Sequence, residues 1–129
     1  MSRRSLTVLT DISLITCIVQ KGLADKIVKA ARDAGAQGAT VYYAKGTGVR
    51  ERLGLFGVAV EVEKEVINIV VPQEQVEQII EKMYLAGKLD TPGMGFIYAT
   101  QLDKAATFIP EEVITKLESQ VETEKAKVA

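Results

Sequence analysis

The segment Glu65-Val-Ile-Asn-Ile-Val-Val71 carries the strongest strand signal in the chain, and Pro72 follows it directly. Its β-branched residues predict a strand, which Pro72 ends, and the same proline suits the first turn of a helix. The apolar residues that follow have helical spacing, which predicts a helix over 73–86 that Gly87 caps. These apolar residues are Val76, Ile79, Ile80, Met83 and Tyr84.

Three further strands and a second helix are predicted around this unit. The strands are Leu14–Val19, Thr40–Ala44 and Phe96–Ala99, and the helix runs from Leu23 to Ala34. The resulting order, β-α-β-β-α-β, predicts an α+β fold of the ferredoxin-like type, with two helices on one face of a four-stranded antiparallel sheet. Outside this core, Leu6–Leu9 is expected to add a short strand and Pro110–Lys125 an extra C-terminal helix with a narrow apolar stripe.

The composition fits one globular domain and excludes several kinds of function. The 129 residues include 16 Lys and Arg, 17 Asp and Glu, one Cys and no His. We expect a single domain over 1–129, with a core at about 12–109 and an extension over 110–129. The net charge of -1 argues against nucleic-acid binding. Without His there is no Ser-His-Asp triad and no imidazole metal ligand, and we predict no metal site.

The chain is expected to be cytoplasmic and not to insert into a membrane. Its longest apolar stretches, 14–19 and 66–71, are too short to cross a bilayer, and no basic and apolar leader precedes them. The single Cys17 cannot form an internal disulfide, which favours a reducing compartment, and its apolar neighbours predict a buried structural thiol.

The predicted sheet is apolar on both faces. In the strand 65–71, one alternating set is Ile67, Ile69 and Val71, and the other is Val66 and Val70 with Asn68. Two helices cover only one face, so the other face is expected to be buried by further copies of the chain. The sequence therefore predicts an oligomer.

Two glycine pairs follow or precede predicted strands. They are Lys45-Gly-Thr-Gly48, after the second strand, and Gly93-Met-Gly95, before the fourth. Glycines at such positions let a ligand phosphate approach backbone N–H groups, although a simple tight turn also explains them. Both pairs are expected at the same end of the sheet, where they would line a cleft between subunits.

Four blocks of the chain resemble the nitrogen regulatory PII signalling proteins and their PII-like relatives. The blocks are Ala34-Gly-Ala-Gln-Gly-Ala-Thr-Val41, Lys45-Gly-Thr-Gly48, Glu65-Val-Ile-Asn-Ile-Val-Val-Pro72, and Gly87-Lys88 with Pro92-Gly-Met-Gly-Phe-Ile-Tyr98. The resemblance covers residues 14 to about 109. It implies a trimer of ferredoxin-like subunits, an adenine nucleotide between neighbouring subunits, and a loop after the second strand, the T-loop, that docks on a regulated protein.

The resemblance also implies a set of ligand-binding positions. Gly46 and Gly48, with Thr47 between them, match the glycines beside the nucleotide phosphates, and Gly93 and Gly95 match the second phosphate-side loop. Thr40 and Val70 match the adenine pocket, and Lys64 and Lys88 match or lie near basic positions. The ligand-binding set is therefore Thr40, Gly46, Thr47, Gly48, Arg50, Lys64, Val70, Lys88, Gly93, Met94 and Gly95.

The chain departs from the family pattern at several charged positions. Met94 and Phe96 stand where the family has an acidic residue and a lysine, and Arg50 stands where it has a glutamine. Thr107 and Ile109 replace two phosphate-binding arginines. Each lost charge-assisted bond is worth roughly 1.5–3 kcal/mol, so AMP or ADP is a better candidate ligand than ATP.

The segment 49–63 is predicted to be a long, T-loop-like connection. Arg50 and Arg52 lie beside Leu55 and Phe56, a combination that suits docking into a partner's groove, or packing on the protein's own surface. We predict a regulatory protein, not an enzyme. It senses a small effector and controls a partner such as a membrane transporter or a metabolic enzyme.

Two alternatives stay open from the sequence. The same architecture could bind a metal or another anion and have no nucleotide role. A small enzyme that uses carboxylates as acid and base is the second, because Glu61, Glu63 and Glu65 alternate along one extended segment and face one side. A charged strand edge is the commoner explanation for such glutamates.

Overall fold

The computed structural model describes residues 7–46 and 62–107. Its strands are β1 (Thr7–Leu9), β2 (Ile12–Gln20), β3 (Thr40–Gly46), β4 (Val62–Pro72), β5 (Gly95–Leu102) and β6 (Ala105–Thr107). Its helices are α1 (Ala24–Asp33) and α2 (Val76–Gly87), and a short 3-10 turn, Gln73–Gln75, precedes α2.

Four strands form one antiparallel sheet in the order β3-β4-β2-β5. With α1 after β2 and α2 after β4, this is the split β-α-β arrangement, so the predicted ferredoxin-like α+β fold is confirmed. The long central strands β2 and β4 pair from Ile12 with Pro72 to Gln20 with Lys64. Their pairing places β3 and β5 at the two edges of the sheet.

The strands are longer than the sequence pattern predicts. Val62 and Glu63, predicted to lie in the loop over 49–63, belong to β4, because they pair with Gly46 and Lys45 of β3. The ladder supplies backbone hydrogen bonds to residues whose own strand propensity is weak, and it carries β3 two residues beyond its predicted end.

The core lies between the helices and one face of the sheet. Alternate residues of β2 and β4 point into it and are at most 1% exposed. They are Ile15, Cys17 and Val19 from β2 and Ile67, Ile69 and Val71 from β4, and they contact Ile27 and Ala31 of α1 and Ile79 and Met83 of α2 within one cluster. Burial of an isoleucine of this kind stabilises the fold by about 2 kcal/mol.

Cys17 lies inside this cluster, as predicted. Burial raises the pKa of its thiol from 9.0 to about 12, because the apolar surroundings disfavour the thiolate. Cys17 is therefore a protonated structural residue at neutral pH.

The end of α2 differs from its prediction. Gly87 is the last residue of the helix, and the left-handed cap is Lys88, at φ 52°. A Cβ at Gly87 would lie 2.9 Å from Cδ1 of Ile27 in α1. Gly87 therefore lies in the contact between the two helices rather than in the turn, and a side chain there would have to displace the end of Ile27.

The described residues fall into two compact units, 11–103 and 7–10 with 104–107. In the second unit, β1 pairs antiparallel with β6, from Thr7 with Thr107 to Leu9 with Ala105. The predicted N-terminal strand is thus confirmed, whereas β6 was not predicted. The helix predicted over 110–125 lies outside the described residues, and the single-domain description stays a prediction.

Candidate functional site

Gly46 and the second predicted glycine segment, 93–95, lie at the same end of the sheet. Gly46 pairs with Val62 where β3 ends and β4 begins, and Gly95 pairs with Val19 where β5 begins. Two strands separate β3 from β5, which is about 14 Å at the usual strand spacing, and Gly95 is level with Tyr43, three residues or about 10 Å from Gly46 along the strands. Gly46 and Gly95 are therefore about 17 Å apart, at one end but on opposite edges of the sheet.

Lys64 lies beside Gly46. It pairs with Ala44 of β3 and Gln20 of β2, so its side chain shares a sheet face with Gly46. A Cβ at Gly46 would lie 3.4 Å from Cγ of Lys64 and 3.7 Å from Cε. The lysine side chain thus runs across the glycine, and this pair brings a cation to the end of β3.

The second glycine segment is held tightly against β2. Gly93 and Gly95 have φ values of 82° and 145°, in the region that favours glycine. A Cβ at Gly95 would overlap the carbonyl oxygen of Ile18 and lie 2.9 Å from Cγ1 of Val19. Met94 packs on the core, and its N–H donates to the Thr91 carbonyl at 3.2 Å. These glycines are required by the turn and by close backbone approach.

Gln20 is a contact residue that the sequence analysis missed. Its Nε2 donates to the carbonyl oxygen of Gly93 at 2.7 Å, and Gln20 also pairs with Lys64 in the β2–β4 ladder. It therefore stands between the lysine and the second glycine segment. A polar last residue on a β-branched strand was the only signal for it in the sequence.

The other predicted ligand positions are spread more widely. Lys88 is exposed at the left-handed end of α2. Thr40 pairs with Asn68 at the start of β3, and Val70 is the next residue on that face of β4. Thr40 lies six residues from Gly46 along β3, or about 20 Å at the usual rise per residue, so the structure does not bring Thr40 and Val70 to the glycine end.

Several predicted positions lie outside the described residues. They are Thr47, Gly48 and Arg50 of the ligand set, Arg50, Arg52, Leu55 and Phe56 of the partner-binding loop, the loop itself through residue 61, Glu61 and Ile109.

The two described glutamates of the alternating set contact the turn between β2 and α1. Glu63 pairs with Lys21 at 3.0 Å between two exposed side chains. Its hydrogen bond, and then its charge, raise the pKa of the Lys21 ammonium. Glu65 is buried, accepts a hydrogen bond from the Gly22 N–H, and lies 3.5 Å from the Ala24 nitrogen. A carboxylate from β4 thus caps the N-terminus of α1, where Leu23 provides no side-chain cap.

The sheet face opposite the helices carries exposed apolar side chains, in line with the sequence pattern. Tyr42, Val70, Phe96 and Tyr98 are each between 42% and 58% exposed. The rings of Phe96 and Tyr98 lie 5.3 Å apart. Across the middle of this face, the Thr16 hydroxyl donates to Oδ1 of Asn68 at 2.9 Å.

Within 7–46 and 62–107, no three His, Cys, Asp or Glu side chains come together as metal ligands. No helix among those residues is long and apolar enough to span a membrane. An open cavity of about 380 Å³ between α1 and β3 contains none of the predicted ligand residues. It is lined by Asp25, Val28, Lys29, Arg32, Asp33 and Val41.

Comparisons with known proteins agree with this architecture. The crystal structure of Arabidopsis thaliana PII bound to citrate superimposes with a TM-score of 0.58. The two chains are 23% identical, and the match covers 73% of this chain and 79% of the Arabidopsis chain. This likeness shows a shared fold. No curated protein matches the chain. The family model described as "Nitrogen regulatory protein P-II" matches residues 12–112, which confirms the resemblance found from the sequence. The chain belongs to the nitrogen regulatory protein P-II family.

Proposed function

We propose that this protein is a PII-like regulator that binds an adenine nucleotide, AMP or ADP in preference to ATP, at the glycine end of the sheet. The observation that carries the proposal is the position of Gly46, Lys64 and the segment 93–95 at one sheet end in a member of the P-II family. Binding there would control a partner, such as a membrane transporter or a metabolic enzyme, through the segment 49–63.

The chemistry of this end suits an anion. Glycine at position 46 leaves the end of β3 without a side chain of its own, and Lys64 brings a positive charge beside it. A charge-assisted bond between an ammonium and a phosphate contributes about 1.5–3 kcal/mol. With Phe96 where the family has a lysine, fewer cations are present, which favours a ligand with one or two phosphates.

A trimer completes the proposed site. Gly46 and Gly95 lie on opposite edges of one sheet, about 17 Å apart, so a small ligand enclosed by both edges needs one edge from each of two subunits. The exposed apolar side chains of Tyr42, Val70 and Phe96 give the subunits a surface on which to associate. Sedimentation at modest concentration should return three copies, and a stable folded monomer would remove the proposed site.

Calorimetry on the purified full-length protein tests the ligand. AMP, ADP and ATP are titrated separately, and citrate is included because the Arabidopsis PII structure holds it. Lys64→Met should weaken nucleotide binding about ten-fold or more. Lys29→Met is the matched control, because Lys29 is an exposed lysine that pairs with Asp33 within α1. Heat from citrate alone would support a general anion site, and no heat from any nucleotide would refute the adenylate proposal.

The proposal includes no catalytic step. Glu63 and Glu65 are engaged with Lys21 and with the backbone at the start of α1, which supports a structural role for both. ATP turnover by the purified protein that is lost in Glu63→Gln would support the alternative of a small carboxylate-dependent enzyme. The proposed setting is the cytoplasm, with Cys17 as a reduced, buried thiol.

A further inference from the structure

The turn between β2 and α1 contacts two parts of the molecule that the chain separates widely. Gln20, the last residue of β2, contacts Gly93, which lies 73 positions later. Gly22 contacts Glu65, which lies 43 positions later. Residues 20–24, which we name the β2–α1 connection, therefore touch both the second glycine segment and the start of β4.

The contact with the glycine segment is specific in geometry. The 2.7 Å hydrogen bond from Nε2 of Gln20 holds the carbonyl of Gly93. Two residues later, Gly95 packs so closely on the backbone of Ile18 and Val19 that only glycine fits. A shift of the segment along β2 would therefore change the distance between the Gly93 carbonyl oxygen and Nε2 of Gln20.

The contact with β4 has two parts on neighbouring residues of one strand face. Lys21 holds Glu63 at 3.0 Å, and the Gly22 and Ala24 N–H groups hold the carboxylate of Glu65. The first pair is exposed and the second is buried. Helix α1 begins at Ala24. The position of Glu65 therefore also determines whether the first N–H of the helix has a hydrogen-bond acceptor.

We propose that the β2–α1 connection couples the segment 93–95 to the first residues of β4, with Gln20 as the positioning residue on one side and Glu65 on the other. Residues that share a contact network respond together when one of them is changed. The consequence for regulation rests on the proposed function, since a ligand at 93–95 would then alter the start of β4. The coupling itself needs no ligand.

Amide hydrogen exchange on the full-length protein, without added nucleotide, tests the coupling. Gln20→Ala removes the hydrogen bond to the Gly93 carbonyl, and Lys21→Met removes the exposed ion pair with Glu63. We expect each variant to accelerate exchange at both 93–95 and 63–65 by about five-fold, the factor that corresponds to one hydrogen bond. Faster exchange confined to 93–95 in Gln20→Ala, or confined to 63–65 in Lys21→Met, would overturn the coupling.

Two control variants keep the comparison matched. Lys29→Met breaks the Lys29–Asp33 pair, which has a similar length of 3.1 Å and similar exposure but lies within α1. Gln37→Ala removes a glutamine that donates to a glycine carbonyl, that of Gly35, at 3.3 Å. Neither should change exchange at 93–95 or 63–65, and equal acceleration in a control would refute the specific role of residues 20–24.

The coupling and the proposed function fail in different ways. If no nucleotide binds in calorimetry but both segments respond to Gln20→Ala, the coupling stands and the ligand proposal falls. If AMP or ADP binds while the response to Gln20→Ala stays at 93–95, the ligand proposal stands and the coupling falls. Glu65→Gln, which keeps an acceptor oxygen, gives a further check and should release the Gly22 amide less than Glu65→Ala.

Discussion

Replacement of Gly95 by alanine separates what the fold requires at this glycine from what a ligand requires. Gly95 begins β5 at φ 145°, and a Cβ there would overlap the Ile18 carbonyl oxygen and lie 2.9 Å and 3.0 Å from Cγ1 and Cα of Val19. Two of these neighbours are backbone atoms of the central strand, so they cannot move aside as the end of a flexible side chain can.

The size of the effect follows from two costs. A residue with a side chain in this backbone region is strained by about 1–3 kcal/mol. Forcing an extra carbon into packed surroundings costs about 1–3 kcal/mol more. We therefore expect Gly95→Ala to lower the free energy of unfolding by about 2–6 kcal/mol, which is a large share of the stability of a typical domain.

Urea unfolding measures the change. All variants are compared at one protein concentration, because the stability of the proposed trimer would depend on concentration. With a slope of about 1–3 kcal/mol per molar urea, the midpoint should fall by about 1 M or more, with the slope unchanged. Gly46→Ala is the control: its Cβ would meet only Lys64 side-chain carbons, at 3.4 Å and 3.7 Å, so its midpoint should move little. A Gly95→Ala midpoint equal to that of the wild type would refute this reasoning.

Three further predictions concern Glu65, Cys17 and Lys88. Glu65→Ala should destabilise the fold by about 1–2 kcal/mol in urea, because the Gly22 and Ala24 N–H groups at the start of α1 lose their acceptor, and Glu65→Gln should cost less; equal costs would contradict this. The raised pKa of Cys17 keeps the native thiol protonated while the unfolded thiol ionises above pH 9.0, so its contribution to stability is complete below that pH and declines towards about 12. Above about pH 9, the free energy of unfolding of the wild type should therefore fall by about 1.4 kcal/mol per pH unit more than that of Cys17→Ala. Parallel pH profiles of the two proteins would exclude this contribution from Cys17. Lys88→Gly should raise the free energy of unfolding by about 0.5–1 kcal/mol, and the urea midpoint with it, since Lys88 adopts the left-handed conformation that glycine adopts without strain; a lower midpoint would show that the lysine side chain stabilises this cap.

The sequence patterns predicted the elements of the core but not their ends. The β-branched residues in 65–71 and the helical spacing in 76–84 are local properties, and both elements form where the pattern indicates. The ends of β3 and β4 depend instead on pairing between Gly46 and Val62, which lie on either side of residues 47–61. Gly87 shows the same limit, because its role is set by Ile27 of the other helix and not by its neighbours in sequence.

What the amino-acid sequence determined alone is therefore the fold class, the buried faces of the strands and helices, and the family, because each depends on residue type and short-range spacing. Only the tertiary structure decided which side chains meet at the glycine end. Gln20 contacts Gly93, and Glu65 reaches the first amides of α1, across 73 and 43 positions of chain. No local pattern encodes such contacts, because their geometry exists only when strands and helices distant in sequence have packed together.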